Sequence, residues 1–202
     1  MNLYGDYYPV MNDVMNRLVH LIQENSRCHE AAHGIKLFEH LNCRIKSEQS
    51  MREKLLRQGL EATTHHALRA VTDSIGLRVI CLFIDDVYEN VALLRSLPAC
   101  SVVKEKDYIR NAKPNGYRSY HMILDVATDA EDVDGHCPGH YYVEVQLRTI
   151  AMDTWAALEH ELKYKKDVAD PELIAQELRR CANELAACDV SMQTIRKTIR
   201  GL

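Results

Sequence analysis

The segment 141–148 constrains the fold more than any other part of the sequence. Apolar positions alternate there with polar ones, which are Glu144, Gln146 and Arg148. Such alternation is typical of a strand with one apolar face and one polar face. An acid, an amide and a cation in one row on a central strand cost desolvation free energy unless a ligand or partner satisfies them. The segment therefore predicts either the floor of an active site or the polar outer face of an edge strand.

The rest of the chain predicts an α+β fold with a mixed sheet of roughly five strands flanked by helices. Hairpin-length and helix-length connections both occur between the predicted strands, which indicates mixed strand directions. We expect one domain, with N-terminal helices at 1–41, a catalytic core at 42–166 and a C-terminal helix at 170–200. The predicted strands are 43–47, 77–84, 102–109, 120–126 and 141–147, and the predicted helices are 8–24, a stretch toward His40, 49–57, 87–97, 150–166 and one from Pro171.

Composition narrows the class of protein. A chain of 202 residues with 47% hydrophobic content suits one compact domain. The formal net charge of −4 provides no global basic field for nucleic acid or anionic lipid. Because no apolar leader or membrane span is evident, we expect a soluble cytoplasmic protein. The seven cysteines include no CxxC pair, so we expect core hydrophobes rather than disulfides or a zinc ribbon.

The C-terminal segment carries apolar residues at alternating spacings of four and three. This spacing predicts a helix with a pairing seam, which could face another subunit or pack on its own domain. The seam residues are Ile174, Leu178, Cys181, Leu185, Cys188, Met192, Ile195 and Ile199.

Asp73 directly precedes an apolar segment that is predicted to be a buried strand. A carboxylate at the end of such a strand can hold a divalent metal ion. Gly76 permits close backbone approach, and Arg78 can stack on a base or bind phosphate. An ordinary capping or turn role for Asp73 remains the alternative.

A Pro-Asn-Gly turn at 114–116 lies within a loop rich in cations. The turn would present Lys113, Tyr117, Arg118 and His121 together, and these side chains could surround phosphates while the tyrosine stacks on a purine. The alternative is a solvated hairpin tip.

A further cluster of cations accompanies the first predicted strand and the helix after it. Cations beside a helix N-terminus suit a polyphosphate, although exposed helices often carry such residues by chance. The cluster contains Arg44, Lys46, Ser47, Lys54 and Arg57.

Taken together, these segments resemble the synthetase domain of the RelA/SpoT homologues, specifically the small alarmone synthetase branch. The resemblance covers about 44–165. Its most specific parts are KPNGYRSYH at 113–121 and VEVQLRTIAMDTWAALEH at 143–160.

The resemblance implies a nucleotidyltransferase-like fold and the transfer of pyrophosphate from ATP to the 3′-hydroxyl of GDP or GTP, with GMP as a further candidate acceptor. It implies Mg²⁺ as cofactor and a homotetramer formed through helical segments. Regulation by alarmone or single-stranded RNA is also plausible by resemblance, whereas a membrane partner is not expected.

The resemblance also implies a role for each candidate residue. Asp73 and Glu144 would be the metal ligands, and Glu144 the general base. Arg44 and Arg78 would hold the adenine of ATP. The triphosphate would be bound by Lys46, Ser47 and Lys54, and the acceptor nucleotide by Lys113, Tyr117, His121, Gln146 and Arg148.

Two residues depart from the family pattern in the acceptor region. Tyr120 stands where leucine is usual, and Asp153 stands where some relatives have asparagine near the guanine. The preferred acceptor therefore stays open.

Two other functions compete with this interpretation. The first is pyrophosphorylation of a tRNA 3′ end, which the acidic net charge disfavours because binding of tRNA needs an extended basic surface. The second is a catalytically inactive module that binds alarmone or RNA, which has no need for both Asp73 and Glu144.

Overall fold

The computed structural model describes residues 3–98, 100–163 and 170–201. Its centre is a five-stranded mixed sheet with the strand order β1-β2-β5-β4-β3. The predicted α+β fold is thereby confirmed. The strands are β1 (His40–Ile45), β2 (Ile75–Cys81), β3 (Cys100–Asp107), β4 (Tyr120–Thr128) and β5 (Gly139–Thr149).

The helices precede, interrupt and follow these strands. They are α1 (Tyr7–His33), α2 (Glu48–Arg57), α3 (Ile84–Arg95), α4 (Ile150–Lys163) and α5 (Pro171–Arg200), with a short π-helical turn at His66–Ala70. None of the helices in the described residues is both long enough and apolar enough to cross a bilayer.

Strand β5 lies at the centre of the sheet, parallel to β2 and antiparallel to β4. Its apolar face joins the main core, where Val143, Val145 and Leu147 are fully buried. Residues of α1 and α3 belong to the same core, including Leu18 and Val91. The polar residues that alternate with this apolar row face away from that core, so the predicted two-faced strand is confirmed.

The N-terminal region differs from the prediction of two helical stretches. A single helix, α1, runs to His33 and ends at Gly34, whose φ of +66° and N–H donation to Glu30 form a glycine C-cap. Chain 35–39 then leads directly into β1. The predicted break between two helical stretches was wrong because no glycine or proline interrupts 25–33. The buried Ser26 of α1 then accepts a hydrogen bond from the N–H of Leu37 in the connection to β1.

The apolar run 77–84 was predicted as one strand but changes structure before its end. Strand β2 ends at Cys81, and α3 begins at Ile84 with Asp85 and Asp86 in its first turn. Acidic residues stabilise a helix N-terminus through the helix dipole, which explains why the helix begins earlier than its hydrophobic pattern indicates.

The expectation that most cysteines are core residues was wrong. Cys81 is buried, whereas Cys28, Cys43, Cys137 and Cys188 are exposed.

The predicted seam on α5 divides into two halves. Leu178, Cys181 and Leu185 pack against a small cluster around Trp155 of α4, whereas Met192, Ile195 and Ile199 are exposed. The first half therefore packs within its own chain.

Helix α4 is described as far as Lys163, so the predicted residues 164–166 lie outside the described residues.

The segment leading to Asp73 is held by the loop between β4 and β5. Arg69, in the π-helical turn, contacts both Asp132 and Asp134 and donates to the carbonyl of His140. The Asp132 side chain is buried and also accepts hydrogen bonds from the backbone N–H groups of Asp134, His136 and His140. This carboxylate thus anchors the loop and the turn to each other.

We expect Asp132→Asn to lower the free energy of unfolding at pH 7 by about 1–3 kcal/mol, because charged hydrogen bonds are lost. Burial alone would raise the pKa of Asp132, but the backbone donors and Arg69 outweigh it and lower the pKa to about 2. A lowered pKa adds stability that is present above the unfolded-state pKa, so the difference from wild type should shrink as pH falls from about 4 to about 2.

Urea unfolding across this pH range measures the effect. The control is Asp129→Asn, which alters an exposed carboxylate in the same loop. Equal stability of the two variants at every pH would contradict the anchoring role.

Candidate active site

The polar face of β5 forms one wall of a cavity of about 250 Å³. In the parallel register, Gly76 lies opposite Glu144 and Arg78 opposite Gln146. Strand β1 adds Arg44 opposite Gly76. The cavity lining includes Arg44, Lys46, Asp73, Gly76, Arg78, Glu144 and Gln146. Most candidate residues for the donor nucleotide therefore share one cavity with both predicted carboxylates.

Asp73 lies between two lysines. The Nζ atoms of Lys46 and Lys54 are each 2.7 Å from its Oδ2 atom. Burial favours a higher pKa for Asp73, but the hydrogen bonds and charges of the lysines outweigh it, so the pKa lies below its usual value. In the described part of the chain, Oδ1 of Asp73 is the one buried side-chain oxygen or nitrogen without a hydrogen-bond partner. An anionic oxygen left without a partner is suited to a cation.

Local structure explains how the lysines reach Asp73. The N–H of Lys46 donates to the carbonyl of Ser74 at 2.8 Å, which joins the end of β1 to the start of β2. Ser47 then caps α2 by accepting from the N–H of Ser50 at 3.3 Å. The cap starts the helix that carries Lys54, and it places a helix N-terminus beside the cations.

A second cavity, of about 310 Å³, lies on the β3–β4 side of Glu144. Its lining includes Lys104, Lys106, Tyr108, Lys113, His121 and Glu144. Glu144 therefore lines both cavities. Two cation-lined cavities that meet at one carboxylate suit two phosphorylated ligands bound side by side.

Lys104 and Lys106 were missing from the predicted site residues. The β3–β4 register shifts between Val102 and Lys104, so that Lys104 pairs with Ile123 and Lys106 with His121. This bulge turns both lysines toward the face that carries His121. The sequence signal was the K-x-K alternation, but the bulge that orients it has no clear signature.

Glu144 belongs to a closed ring of hydrogen-bonded side chains, which we call the Glu144 ring. Gln146 donates to Oε2 of Glu144 at 2.9 Å, and Nδ1 of His121 lies 3.4 Å from Oε1. Arg148 Nη2 donates to Gln146 at 2.9 Å and to the Tyr117 hydroxyl at 2.7 Å. The Tyr117 hydroxyl closes the ring 2.7 Å from Nε2 of His121.

The ring and the surrounding charges keep Glu144 ionised. Burial of the side chain favours a higher pKa, as does nearby Asp73, but the contributions of His121 and Gln146 are larger in sum. The pKa of Glu144 is consequently below its usual value. An ionised, half-buried carboxylate can accept a proton from a bound hydroxyl group.

Asp153 connects Arg78, which lines the first cavity, to Arg148 of the Glu144 ring. Its Oδ1 atom lies 3.2 Å from Nη1 of Arg78 and 3.0 Å from Nη1 of Arg148. The sequence placed Asp153 near the acceptor, but its link to Arg78 depends on the packing of α4 against β2 and β5.

Helix α5 supports the loop that carries Lys113 and Tyr117. Trp155 Nε1 donates to the carbonyl of Leu178 at 2.7 Å. Arg118 donates to the carbonyl of Ala182 at 3.4 Å, and it does not line the second cavity. Tyr117 does not line this cavity either, but it contacts Lys113 and His121, whereas Arg118 is turned toward α5.

These geometric features agree with comparisons to known proteins. The family described as "Region found in RelA / SpoT proteins" matches residues 43–169. The GTP pyrophosphokinase YwaC of Bacillus subtilis is 38% identical over 83% of this chain and 78% of its own length.

The chain is also similar to solved structures of small alarmone synthetases. Small alarmone synthetase 2 of Bacillus subtilis has a TM-score of 0.82 and 34% identity, covering 96% of this chain and 99% of its own. Small alarmone synthetase 1 from the same organism, solved with its product pppGpp, has a TM-score of 0.80 and 30% identity, covering 94% of each chain. The fold and the site thus define a protein of the synthetase class. The chain belongs to the RelA/SpoT family.

We expect Gly116→Ala to destabilise the contact between α5 and the loop that carries Lys113 and Tyr117. Gly116 has a φ of +94°, and an added Cβ atom would lie 2.5 Å from the Cβ of Ala182. Overpacking of this kind costs about 1–3 kcal/mol. The fluorescence of Trp155, which is the single tryptophan of the chain, can follow urea unfolding.

Gly59→Ala is the matched control, because Gly59 has a φ of +71° and nothing within 4 Å of the added atom. Backbone strain alone costs about 1–2 kcal/mol. If both variants lose the same stability, close packing of α5 on Gly116 is refuted.

Proposed function

We propose that this chain is a small alarmone synthetase that transfers pyrophosphate from ATP to the 3′-hydroxyl of GDP or GTP. The products would be AMP and ppGpp or pppGpp. The single observation that carries the proposal is the position of Glu144, which lines both cation-rich cavities. The family, a relative named GTP pyrophosphokinase and a structural neighbour bound to pppGpp support it.

The cavity with Asp73 would bind ATP. Arg44 and Arg78 project from neighbouring strands, and their planar guanidinium groups suit an adenine between them. Lys46 and Lys54 would bind the triphosphate, and the N-terminus of α2 at Ser47 would favour its negative charge.

Asp73 and Glu144 are the proposed ligands of Mg²⁺. The unpartnered Oδ1 atom of Asp73 fits this role, since carboxylate oxygens are the ligands that Mg²⁺ prefers. The ion would supply neutralisation of the phosphate charge during transfer.

The second cavity would bind the acceptor nucleotide. Lys113 and His121, together with Lys104 and Lys106, form a positive surface for its 5′ phosphates. The ring of Tyr117 lies at the edge of this group and would stack on guanine. Gln146 and Arg148 would support the site through the Glu144 ring.

The reaction then needs little beyond placement and one proton transfer. Glu144 takes the proton of the acceptor's 3′-hydroxyl group while the 3′-oxygen attacks the β-phosphorus of ATP. The bond between the β-phosphorus and the oxygen bridging to the α-phosphate breaks, and AMP leaves. Lysine side chains on both sides stabilise the charge that develops on the transferred group.

The exposed half of α5 is the proposed subunit contact. Met192, Ile195 and Ile199 line an apolar groove with Phe83. A homotetramer would cover this surface. Regulation by alarmone or single-stranded RNA and a cytoplasmic location also remain predictions.

Nucleotide chromatography tests the proposed reaction directly. Purified protein with ATP, Mg²⁺ and GDP should yield AMP and a more anionic guanosine nucleotide. Glu144→Gln should lower kcat by about 10²–10⁴-fold, because the general base is lost. Glu89→Gln, on the exposed surface of α3, is the control and should keep wild-type kcat.

Two outcomes would refute the proposal. Absence of product with GMP, GDP and GTP would favour a binding module. A second assay uses tRNA and ATP that is labelled in its β- and γ-phosphates. Transfer of the label to tRNA, without any guanosine product, would favour the tRNA-modifying function.

Removal of positive charge from β3 should raise the KM for an acceptor nucleotide more when that nucleotide carries more phosphates. We expect Lys104→Ala and Lys106→Ala each to raise KM about 3- to 30-fold for GTP and less for GMP, because fewer charged contacts are lost with GMP. Steady-state kinetics with the three acceptors measures this. Lys36→Ala, which removes an exposed lysine paired with Glu39, is the control. An equal change in KM for GMP and GTP would contradict phosphate binding by β3.

A further inference from the structure

The Tyr117 hydroxyl occupies a position that guanine stacking does not require. It lies 2.7 Å from Nη2 of Arg148 on one side and 2.7 Å from Nε2 of His121 on the other. Stacking would use the face of the ring, whereas these two contacts use only the hydroxyl. The hydroxyl therefore needs its own explanation.

The chemistry of the three groups determines the direction of the hydrogen bonds. A guanidinium group only donates, so Arg148 donates to the Tyr117 oxygen. The Tyr117 oxygen has a second lone pair, so Arg148 alone does not decide the contact with His121. The Glu144 carboxylate beside Nδ1 can only accept, which favours a proton on Nδ1 and the Tyr117 hydroxyl as donor to Nε2. A neutral imidazole has one donor and one acceptor nitrogen, so an accepting Nε2 leaves the proton on Nδ1.

We propose that the Tyr117 hydroxyl is a positioning group that keeps Nε2 of His121 as a hydrogen-bond acceptor and directs Nδ1–H of His121 at Glu144. Tyr117 thereby acts on the carboxylate through His121. This inference rests on the proposed role of Glu144 as general base.

The position of Arg148 supports this series of hydrogen bonds, which runs from Arg148 through Tyr117 and His121 to Glu144. Its side chain is 5% exposed and is held by Asp153 at 3.0 Å and by the Ser119 hydroxyl at 3.3 Å. If Arg148 rotated away, its guanidinium group would lose the contacts with Asp153 and Ser119, and Asp153 would keep only Arg78. The donor that starts the sequence of hydrogen bonds is therefore fixed by packing.

The tautomer determines what His121 can do in the reaction. With a proton on Nδ1, His121 presents a donor to Glu144 and cannot take over the proton that Glu144 accepts. Its contribution is to orient the Oε1 atom, which lies 3.4 Å away in the structure. Catalytic hydrogen bonds often shorten when substrates bind.

Nitrogen-15 NMR of the imidazole groups tests the assignment. Spectra of the full chain at alkaline pH report on neutral imidazole, and loss of one signal set in His121→Asn identifies His121 among the ten histidines. We expect Nδ1–H in the wild type and a mixture of tautomers in Tyr117→Phe. An Nε2–H tautomer in the wild type would overturn the proposal, and this measurement needs no active variant.

Kinetics separates the hydroxyl from the ring. Tyr117→Phe keeps the ring, so kcat should fall about tenfold while the acceptor KM stays within about twofold. Tyr117→Leu should also raise the acceptor KM. Tyr8→Phe is the matched control, because Tyr8 lies at an exposed position of α1. An unchanged kcat in Tyr117→Phe would leave only the stacking role.

The two readouts distinguish this inference from the proposed function. If the wild type forms no alarmone but shows the Nδ1–H tautomer, the proposed function fails and the tautomer assignment stands. If the wild type is active and His121 is the Nε2–H tautomer, the positioning role fails alone.

Discussion

The parallel pairing of β2 with β5 is the constraint on which the rest of the site depends. It places Gly76 opposite Glu144, so that no side chain of β2 lies directly beside the carboxylate. The same pairing brings Asp73, which precedes β2, into the cavity that Glu144 lines. A register shifted by one residue would turn the polar row of β5 into the core and its valines into solvent. Hydrophobic burial of one face thus fixes the chemistry of the other face.

Charge compensation makes this arrangement compatible with a stable fold. Two half-buried carboxylates in one cavity would each favour protonation, but each has partners of its own. Lys46, which follows β1, and Lys54 of α2 bind Asp73, whereas His121 and Gln146 bind Glu144. The result is a site in which both acids stay ionised, with one oxygen of Asp73 left for a cation. Stability and function therefore use the same contacts.

The sequence predicted the parts of the site that follow from local patterns, and it missed those that depend on packing. Alternation correctly assigned Glu144 and Gln146 to one face of a strand, and the Pro-Asn-Gly signal correctly located the turn before Tyr117. The bulge beside Val103 was missed because it depends on pairing with β4. The contact of Arg118 with α5 was missed because its partner, the carbonyl of Ala182, comes from a helix more than 60 residues away in sequence. The predicted seam on α5 is not continuous, because its first half packs against Trp155 of α4 within the same chain.

A crystal structure with a non-hydrolysable ATP analogue, Mg²⁺ and GDP would test the central claim most directly. We expect the ATP analogue between β1 and β2, the metal on Asp73, and GDP in the cavity lined by β3 and β4. The 3′-oxygen of GDP should lie within hydrogen-bond distance of Glu144. A structure in which the two nucleotides bind without meeting at Glu144, or in which the metal avoids Asp73, would contradict it.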